Sequence, residues 1–198
     1  MKLYIAPPSP FARKCRIVVR EKGLTGLVEE VLVNPYESPE ALLAVNPIAQ
    51  VPALLTDEGE AILDSPVICE WLDRQGSGAA LLPIDGPERW RIKRVEGLAS
   101  AVLEMGVKLL LETRRPESER SPSWMARWTE NMGRALDALE AASVAAEPLD
   151  MGVITAGCAV TWLDFRHPDF DWKTGRPGLV ALQTALEQRQ SFRETAPA

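Results

Sequence analysis

The spacing of apolar residues divides the first 75 residues into short strands and helices. Apolar positions at intervals of three and four predict a helix over 10–22, which Gly23 ends. Residues 57–60 are typical of a hairpin turn. Segments rich in β-forming residues predict strands at 2–5, 28–33, 51–56 and 61–63. The predicted order is β-α-β, a loop, and then β-β-α.

A further helix is predicted to begin sharply at Ser65. Serine is a favoured N-cap residue, and proline, which follows it here, is favoured at the first helical position. The predicted apolar stripe of this helix consists of Val67, Ile68, Trp71 and Leu72.

Beyond this helix the periodicity is helical only. Long amphipathic helices are predicted after Pro87 and from Ser121, with a last one over 179–186. Residues 153–163 are apolar on nearly every face, which predicts a buried helix.

The change in periodicity predicts two domains. The Gly- and Ser-rich start of 77–86 indicates a linker, in which Leu81-Leu82-Pro83 is an anchor point. We therefore expect an α/β domain at 1–76, this linker, and an all-helical domain at 87–198.

Charge and composition exclude several classes of function. The net charge of −6 leaves no basic patch for a nucleic-acid backbone. No stretch of about 18 apolar residues is present, so no membrane span is expected. The apolar run at the start is too short for a signal peptide, and we expect a cytoplasmic protein.

The residues that usually ligate metals or act as nucleophiles are few and scattered. Cys15, Cys69 and Cys158 lie far apart and form no disulfide framework, and His167, the single histidine, is expected at the surface. Neither C-x-x-C nor H-E-x-x-H occurs, so no metal site is expected. The chemistry must therefore come from a bound cofactor or cosubstrate.

Four segments, in order and spacing, resemble the cytosolic glutathione transferase family. The best local match is Asn46-Pro47-Ile48-Ala49-Gln50-Val51-Pro52-Ala53-Leu54, followed by Leu63-Asp64-Ser65-Pro66-Val67-Ile68. The start Ser9-Pro10-Phe11-Ala12-Arg13-Lys14 and the segment from Cys158 to Arg166 are similar to a small bacterial subgroup of the family.

This resemblance implies a thioredoxin-like domain joined to a helical bundle, assembled as a homodimer. It also implies glutathione as cosubstrate, whose thiolate is conjugated or exchanged with an electrophilic apolar substrate, as in detoxification. The alternative is a non-catalytic member that senses glutathione or binds a protein partner with the same fold.

For glutathione binding, the resemblance points first to two segments, 50–52 and 64–65. It implies a cis bond before Pro52, which turns the Val51 backbone toward the cysteinyl unit of glutathione, whereas an isolated Val-Pro favours a trans edge-strand proline. Asp64 and Ser65 are expected to hold the γ-glutamyl end, with Ser65 also serving as a helix cap. Gln50 stands where many relatives have a glutathione contact, often a lysine, and a plain surface glutamine is the other interpretation.

Ser9 is the candidate partner of the thiolate. It lies between the first strand and the first helix, where the thioredoxin fold places its reactive cysteine, and Ala12 replaces the second cysteine of such a motif. Its hydroxyl can donate a hydrogen bond to sulfur, or it can simply cap the helix. Tyr4 and Cys15 are better interpreted as structural, because one lies inside a strand and the other on a different helix face.

The pocket for the second substrate is expected against the long helix near Met105, Gly106 and Leu109. Six tryptophans lie after residue 70, as an aromatic-lined site requires. For most of them, however, packing in the core is the favoured interpretation.

Overall fold

The computed structural model describes residues 1–197, which divide into two units. The first contains Met1–Leu82 together with the residues from Arg189 onward, and the second is Pro83–Gln188. The C-terminal residues therefore differ from the expected division, which placed all of 87–198 in the helical domain.

The first unit is an α/β unit built on a four-stranded sheet. Its elements are β1 (Lys2–Ile5), α1 (Pro10–Glu21), β2 (Glu29–Leu32), α2 (Glu40–Leu43), β3 (Ala53–Leu55), β4 (Ala61–Leu63) and α3 (Ser65–Gln75). The strand order is β2-β1-β3-β4, with β1 parallel to β2 and antiparallel to β3, and β3 antiparallel to β4. This is the thioredoxin-like arrangement that was expected from the sequence.

One row of side chains crosses the sheet and is covered by the short helix α2. Tyr4 lies opposite Val31 on one side and Ala53 on the other, and Ala53 lies opposite Leu63. Tyr4 and Ala53 form an apolar cluster with Leu42 and Val45, which lie in α2 and just after it. The region of α2 was predicted to be a loop, because a single helical turn carries no periodicity.

The opposite face of the sheet packs against α1. Leu3 and Leu54, which are directly paired, are fully buried there. Glu30, the partner of Leu3 on β2, forms ion pairs with Arg16 and Arg20 of α1, which places that helix on this face.

A buried ion pair fixes the anchor point after α3. Asp73 lies 3.0 Å from the ammonium of Lys22, and its carboxylate accepts hydrogen bonds from the backbone N–H groups of Leu81 and Leu82. Both leucines are almost fully buried. The predicted anchor is therefore confirmed, and it joins α1, α3 and the segment that follows α3.

The second unit consists of four helices. They are α4 (Gly86–Thr113), α5 (Pro122–Ala141), α6 (Met151–Arg166) and α7 (Pro177–Leu186). Residues 151–160 of α6 are all buried, as its uniformly apolar sequence predicted. Asp150 caps it by accepting a hydrogen bond from Val153 N at 2.8 Å, and Gly152 lets it approach Val95 of α4, where a Cβ would lie 2.9 Å away.

The C-terminal segment holds α1 in place within the first unit. Helix α8 (Gln190–Glu194) follows Arg189, whose guanidinium donates two hydrogen bonds to the carboxylate of Glu21, which also accepts one from Ser191. Arg13 donates to the carbonyl of Phe192 at 3.1 Å and lies over its ring. These contacts explain why the residues from Arg189 onward belong to the α/β unit.

Burial alone raises the pKa of the Glu21 carboxyl, but its hydrogen bonds to Arg189 and Ser191 outweigh that effect, and the pKa is lowered. The carboxylate thus remains charged at neutral pH and links the end of α1 to the C-terminal segment.

We expect Glu21→Gln to lower the free energy of unfolding by about 1–3 kcal/mol, because a half-buried hydrogen-bonded carboxylate is lost. The measurement is urea unfolding at neutral pH. The matched control is Glu130→Gln, which removes an exposed pair with Arg134 at 3.6 Å. It should change the stability by less than about 1 kcal/mol. Equal effects of the two substitutions would contradict a stabilising role for the C-terminal segment.

Candidate functional site

The loop that leads into β3 is held by a buried asparagine. Asn46 Nδ2 donates to the carbonyl of Gln50 at 2.8 Å, and Asn46 Oδ1 accepts from Ile48 N at 3.2 Å. Only 2% of Asn46 is exposed. The Val51–Pro52 peptide bond after this loop is cis, which is the conformation the resemblance implies.

Val51 presents unused backbone groups. The ladder of β3 begins at Ala53, and the N–H and C=O of Val51 make no hydrogen bond to other residues within 1–197. An extended peptide lying beside Val51 can therefore pair with it as an added strand does. Gln50 is exposed, and its backbone carbonyl is already engaged by Asn46.

The start of α3 differs from the expectation in one respect. The N-cap position belongs to Asp64, and Ser65 is the first helical residue. Asp64 has a φ of 69°, unfavourable for a residue with a side chain, and its carboxylate makes no capping bond. Such strained residues are concentrated at binding and catalytic sites.

The Ser65 hydroxyl is nearly buried and available. Ser65 is 3% exposed, and its Oγ makes no hydrogen bond to another residue of the described chain. Its carbonyl accepts a weak hydrogen bond from Cys15 Sγ at 3.9 Å, which ties the start of α3 to α1. The hydroxyl and the first N–H groups of α3 are therefore donors that an anionic group can use.

Ser9 caps α1 through its hydroxyl oxygen, and this capping bond does not use the hydroxyl proton. Its Oγ accepts a hydrogen bond from Ala12 N at 3.2 Å, and its backbone N–H donates to Ala6 O at 2.9 Å. Capping uses a lone pair of the hydroxyl oxygen, whereas a thiolate would accept the hydroxyl proton. The two interpretations of Ser9 are thus compatible.

Strand register brings the three segments to one edge of the sheet. Tyr4 near the end of β1, Ala53 at the start of β3 and Leu63 at the end of β4 are neighbours in one cross-strand row. Ser9 follows β1, Val51 precedes β3 and Ser65 follows β4. A small extended ligand at this edge has access to groups from all three segments.

The residues rejected as catalytic are structural. Tyr4 is 7% exposed and belongs to the apolar cluster under α2. The three cysteines are fully buried, and the sulfur atoms of Cys15 and Cys69 lie 3.6 Å apart between α1 and α3.

In the helical unit, Gly106 faces the interior. A Cβ there would lie 2.7 Å from the Trp162 ring, and its carbonyl lies 3.0 Å from Nε2 of His167. Leu109 is also buried and Met105 is half-buried. Gly106 is therefore a packing residue of α4.

His167 is half-buried, so the expected surface position is wrong. Its ring lies edge-on to Trp162 with centroids 5.5 Å apart. Burial lowers the pKa of its imidazole, although the hydrogen bond to Gly106 acts in the opposite direction. The neutral ring fits a packing role.

The helical unit also has an open depression of about 400 Å³. It is lined by Lys108, Glu112, Ser121, Trp124 and Trp128. These residues were not predicted as a site. The available signal was the four-residue spacing of both pairs, Lys108 with Glu112 and Trp124 with Trp128, which places each pair on one helix face.

Within residues 1–197 there is no group of three or more His, Cys, Asp or Glu residues that could hold a metal ion. Over the same residues, no helix combines the length and apolarity of a membrane span.

Comparison with known proteins gives a consistent result. The family model for the N-terminal domain of glutathione S-transferases matches residues 3–80, and the one for the C-terminal domain matches 122–182. The chain is 35% identical to the uncharacterized GST-like protein YibF of Escherichia coli, over all of this chain and 98% of that protein. It is 33% identical to a maleylacetoacetate isomerase of Pseudomonas aeruginosa, over 71% of this chain and 68% of that one.

A solved structure is similar along its whole length. It is a glutathione transferase family member from Pseudomonas fluorescens with bound glutathione. The TM-score is 0.95 at 33% identity, covering 100% of this chain and 98% of the other.

We expect Gly106→Ala to lower the free energy of unfolding by about 1–3 kcal/mol, because the added methyl group overlaps the Trp162 ring. Gly97→Ala on the same helix is the control, since no atom lies within 4 Å of its added Cβ. That control should stabilise by about 0.5–1 kcal/mol. Thermal or urea unfolding compares the two, and a Gly106→Ala variant as stable as the control would contradict the packing role.

Proposed function

Because the chain belongs to the glutathione S-transferase family, we propose that it binds glutathione and conjugates or exchanges its thiolate with an electrophilic apolar substrate. The observation that carries the proposal is the strand register that gathers Ser9, Val51 and Ser65 at one edge of the sheet.

Each segment suits one part of glutathione. The unused N–H and C=O of Val51 pair with the backbone of the cysteinyl unit. The γ-glutamyl carboxylate accepts hydrogen bonds from the Ser65 hydroxyl and from N–H groups at the start of α3, where the helix dipole is favourable. The carboxylate of Asp64, free of capping bonds, suits the α-amino group of the same unit.

Ser9 supports the reacting sulfur. A free thiol of this type has a pKa of about 8.5, and the thiolate is the nucleophile. A hydrogen bond from the Ser9 hydroxyl favours the charged form and lowers the pKa. The thiolate then attacks the electrophilic carbon, a C–S bond forms, and the leaving group departs with its bonding electrons.

A glutathione-dependent isomerase is the second candidate, supported by the likeness to a maleylacetoacetate isomerase. In that case the sulfur adds to a conjugated double bond, the resulting single bond rotates, and the sulfur leaves again. The same thiolate site serves both reactions. Consumption of glutathione distinguishes them, because isomerisation regenerates it.

Calorimetric titration with glutathione, followed by assays with electrophiles and a cis-configured conjugated acid, tests the proposal. Saturable binding with loss of glutathione during turnover supports the transferase. Isomerisation without loss of glutathione supports the second candidate. Binding without turnover favours a glutathione sensor, and no binding removes all three.

We expect Ser65→Ala to weaken glutathione binding about tenfold or more, since a nearly buried donor to a carboxylate is removed. Stability should stay within about 0.5 kcal/mol, because the Ser65 hydroxyl makes no hydrogen bond within the described protein. Calorimetry and urea unfolding are measured side by side. Unchanged affinity would remove Ser65 from the binding site.

We expect Ser9→Ala to raise the pKa of the bound thiol by about one to two units, because one hydrogen bond to a charged group is lost. Ultraviolet absorbance of the thiolate in the glutathione complex, followed against pH, measures this. Affinity at low pH, where the thiol is neutral, should change little. Superimposable titration curves for the two proteins would assign the effect to backbone N–H groups instead. The variant should also lose about 1 kcal/mol of stability with its cap.

A further inference from the structure

The depression on the helical unit combines aromatic walls with a positive charge. It lies between the C-terminal part of α4, which contributes Lys108 and Glu112, and the start of α5, which contributes Ser121, Trp124 and Trp128. Its volume of about 400 Å³ lies within the range of small-molecule sites.

The tryptophans offer a stacking surface. The ring centroids of Trp124 and Trp128 are 5.8 Å apart at an interplanar angle of 30°, and Trp124 is 53% exposed. Neither indole N–H donates a hydrogen bond to any described residue. Packing in the core therefore does not account for Trp124, whereas an aromatic ligand would cover its face and accept from an indole.

The charges of the depression favour an anion. The ammonium of Lys108 forms no ion pair or hydrogen bond within residues 1–197. Glu112, one helical turn away, keeps its negative charge, but its carboxylate is held at the backbone of Ser121, whose N–H it accepts at 2.7 Å. The Arg127 guanidinium lies 6.0 Å from the centroid of Trp124 and adds positive charge. A cationic ligand would meet both Lys108 and Arg127.

We propose that this depression binds a planar aromatic carboxylate, with the ring stacked on Trp124 and Trp128 and the carboxylate paired with Lys108.

The test measures binding to the full chain without glutathione. Ligand-observed NMR titrations compare 3-nitrobenzoate with 3-nitrobenzamide, which has the same ring but no charge. The wild-type protein should bind the benzoate more tightly, and added salt should reduce that preference. Equal affinities of the two ligands for the wild-type protein overturn the proposal.

Two substitutions separate the charge from the ring. Lys108→Gln should weaken benzoate binding about fivefold and leave the amide unchanged. Trp124→Leu should weaken both ligands about fivefold. Arg94→Gln and Trp90→Leu are matched controls, since both residues are exposed on the same unit, and they should change neither affinity. A control variant with the same effect as its counterpart overturns the assignment.

Discussion

The pairing of β3 with both β1 and β4 is the constraint on which the proposed glutathione site depends. Ala53 lies between Tyr4 and Leu63, and this one row sets the edge of the sheet near which the three segments of the proposed site lie. A shift of β3 by one residue would exchange the faces of Ala53 and Leu54. It would move fully buried Leu54 off the α1 face and displace Val51 from its neighbours. The same strand register is thus required both to bury Leu54 in the core and to place Val51 beside its neighbours.

Helix α1 fixes the position of Ser9, which lies at its N-terminus. This residue is the N-cap and the proposed donor to the thiolate, while Arg13 and Glu21 farther along bind the segment from Arg189 onward. A donor to sulfur must hold its position within a fraction of an ångström to be useful. The C-terminal segment, although distant in sequence, therefore helps to hold α1 and its N-cap in place within the α/β unit.

The sequence predicted the elements whose periodicity spans several turns or alternates over a strand. It did not predict α2, because four residues are too few to show helical periodicity. Leu42 of this helix is buried by contacts with Tyr4 and Val45, which the local sequence does not reveal. It also placed Val67 in an apolar stripe, yet that side chain is 53% exposed.

Local motifs predicted the helix starts and the cis bond before Pro52 better than they predicted tertiary contacts. Ser9 caps α1 as expected. At α3 the N-cap is Asp64 instead of the predicted Ser65, and no sequence pattern predicts the positive φ of Asp64. The half-buried position of His167 depends on the close approach to Gly106 and Trp162, and such packing between distant segments is invisible to periodicity.

A neutral hydroxyl is a suitable thiolate partner for a physical reason. At pH 7 a thiol of pKa about 8.5 is about 3% ionised, and lowering the pKa to about 7 raises that fraction to about one half. Each unit of lowered pKa also reduces the intrinsic nucleophilicity about threefold, because the Brønsted coefficient is about 0.4–0.5. The product of the two effects is greatest when the pKa is close to the ambient pH.

A single hydrogen bond from Ser9 would supply a shift of about this size. A full positive charge beside the sulfur would lower the pKa further and reduce the reactivity again. A neutral donor at Ser9 is therefore better matched to the proposed reaction at neutral pH than a cationic side chain would be.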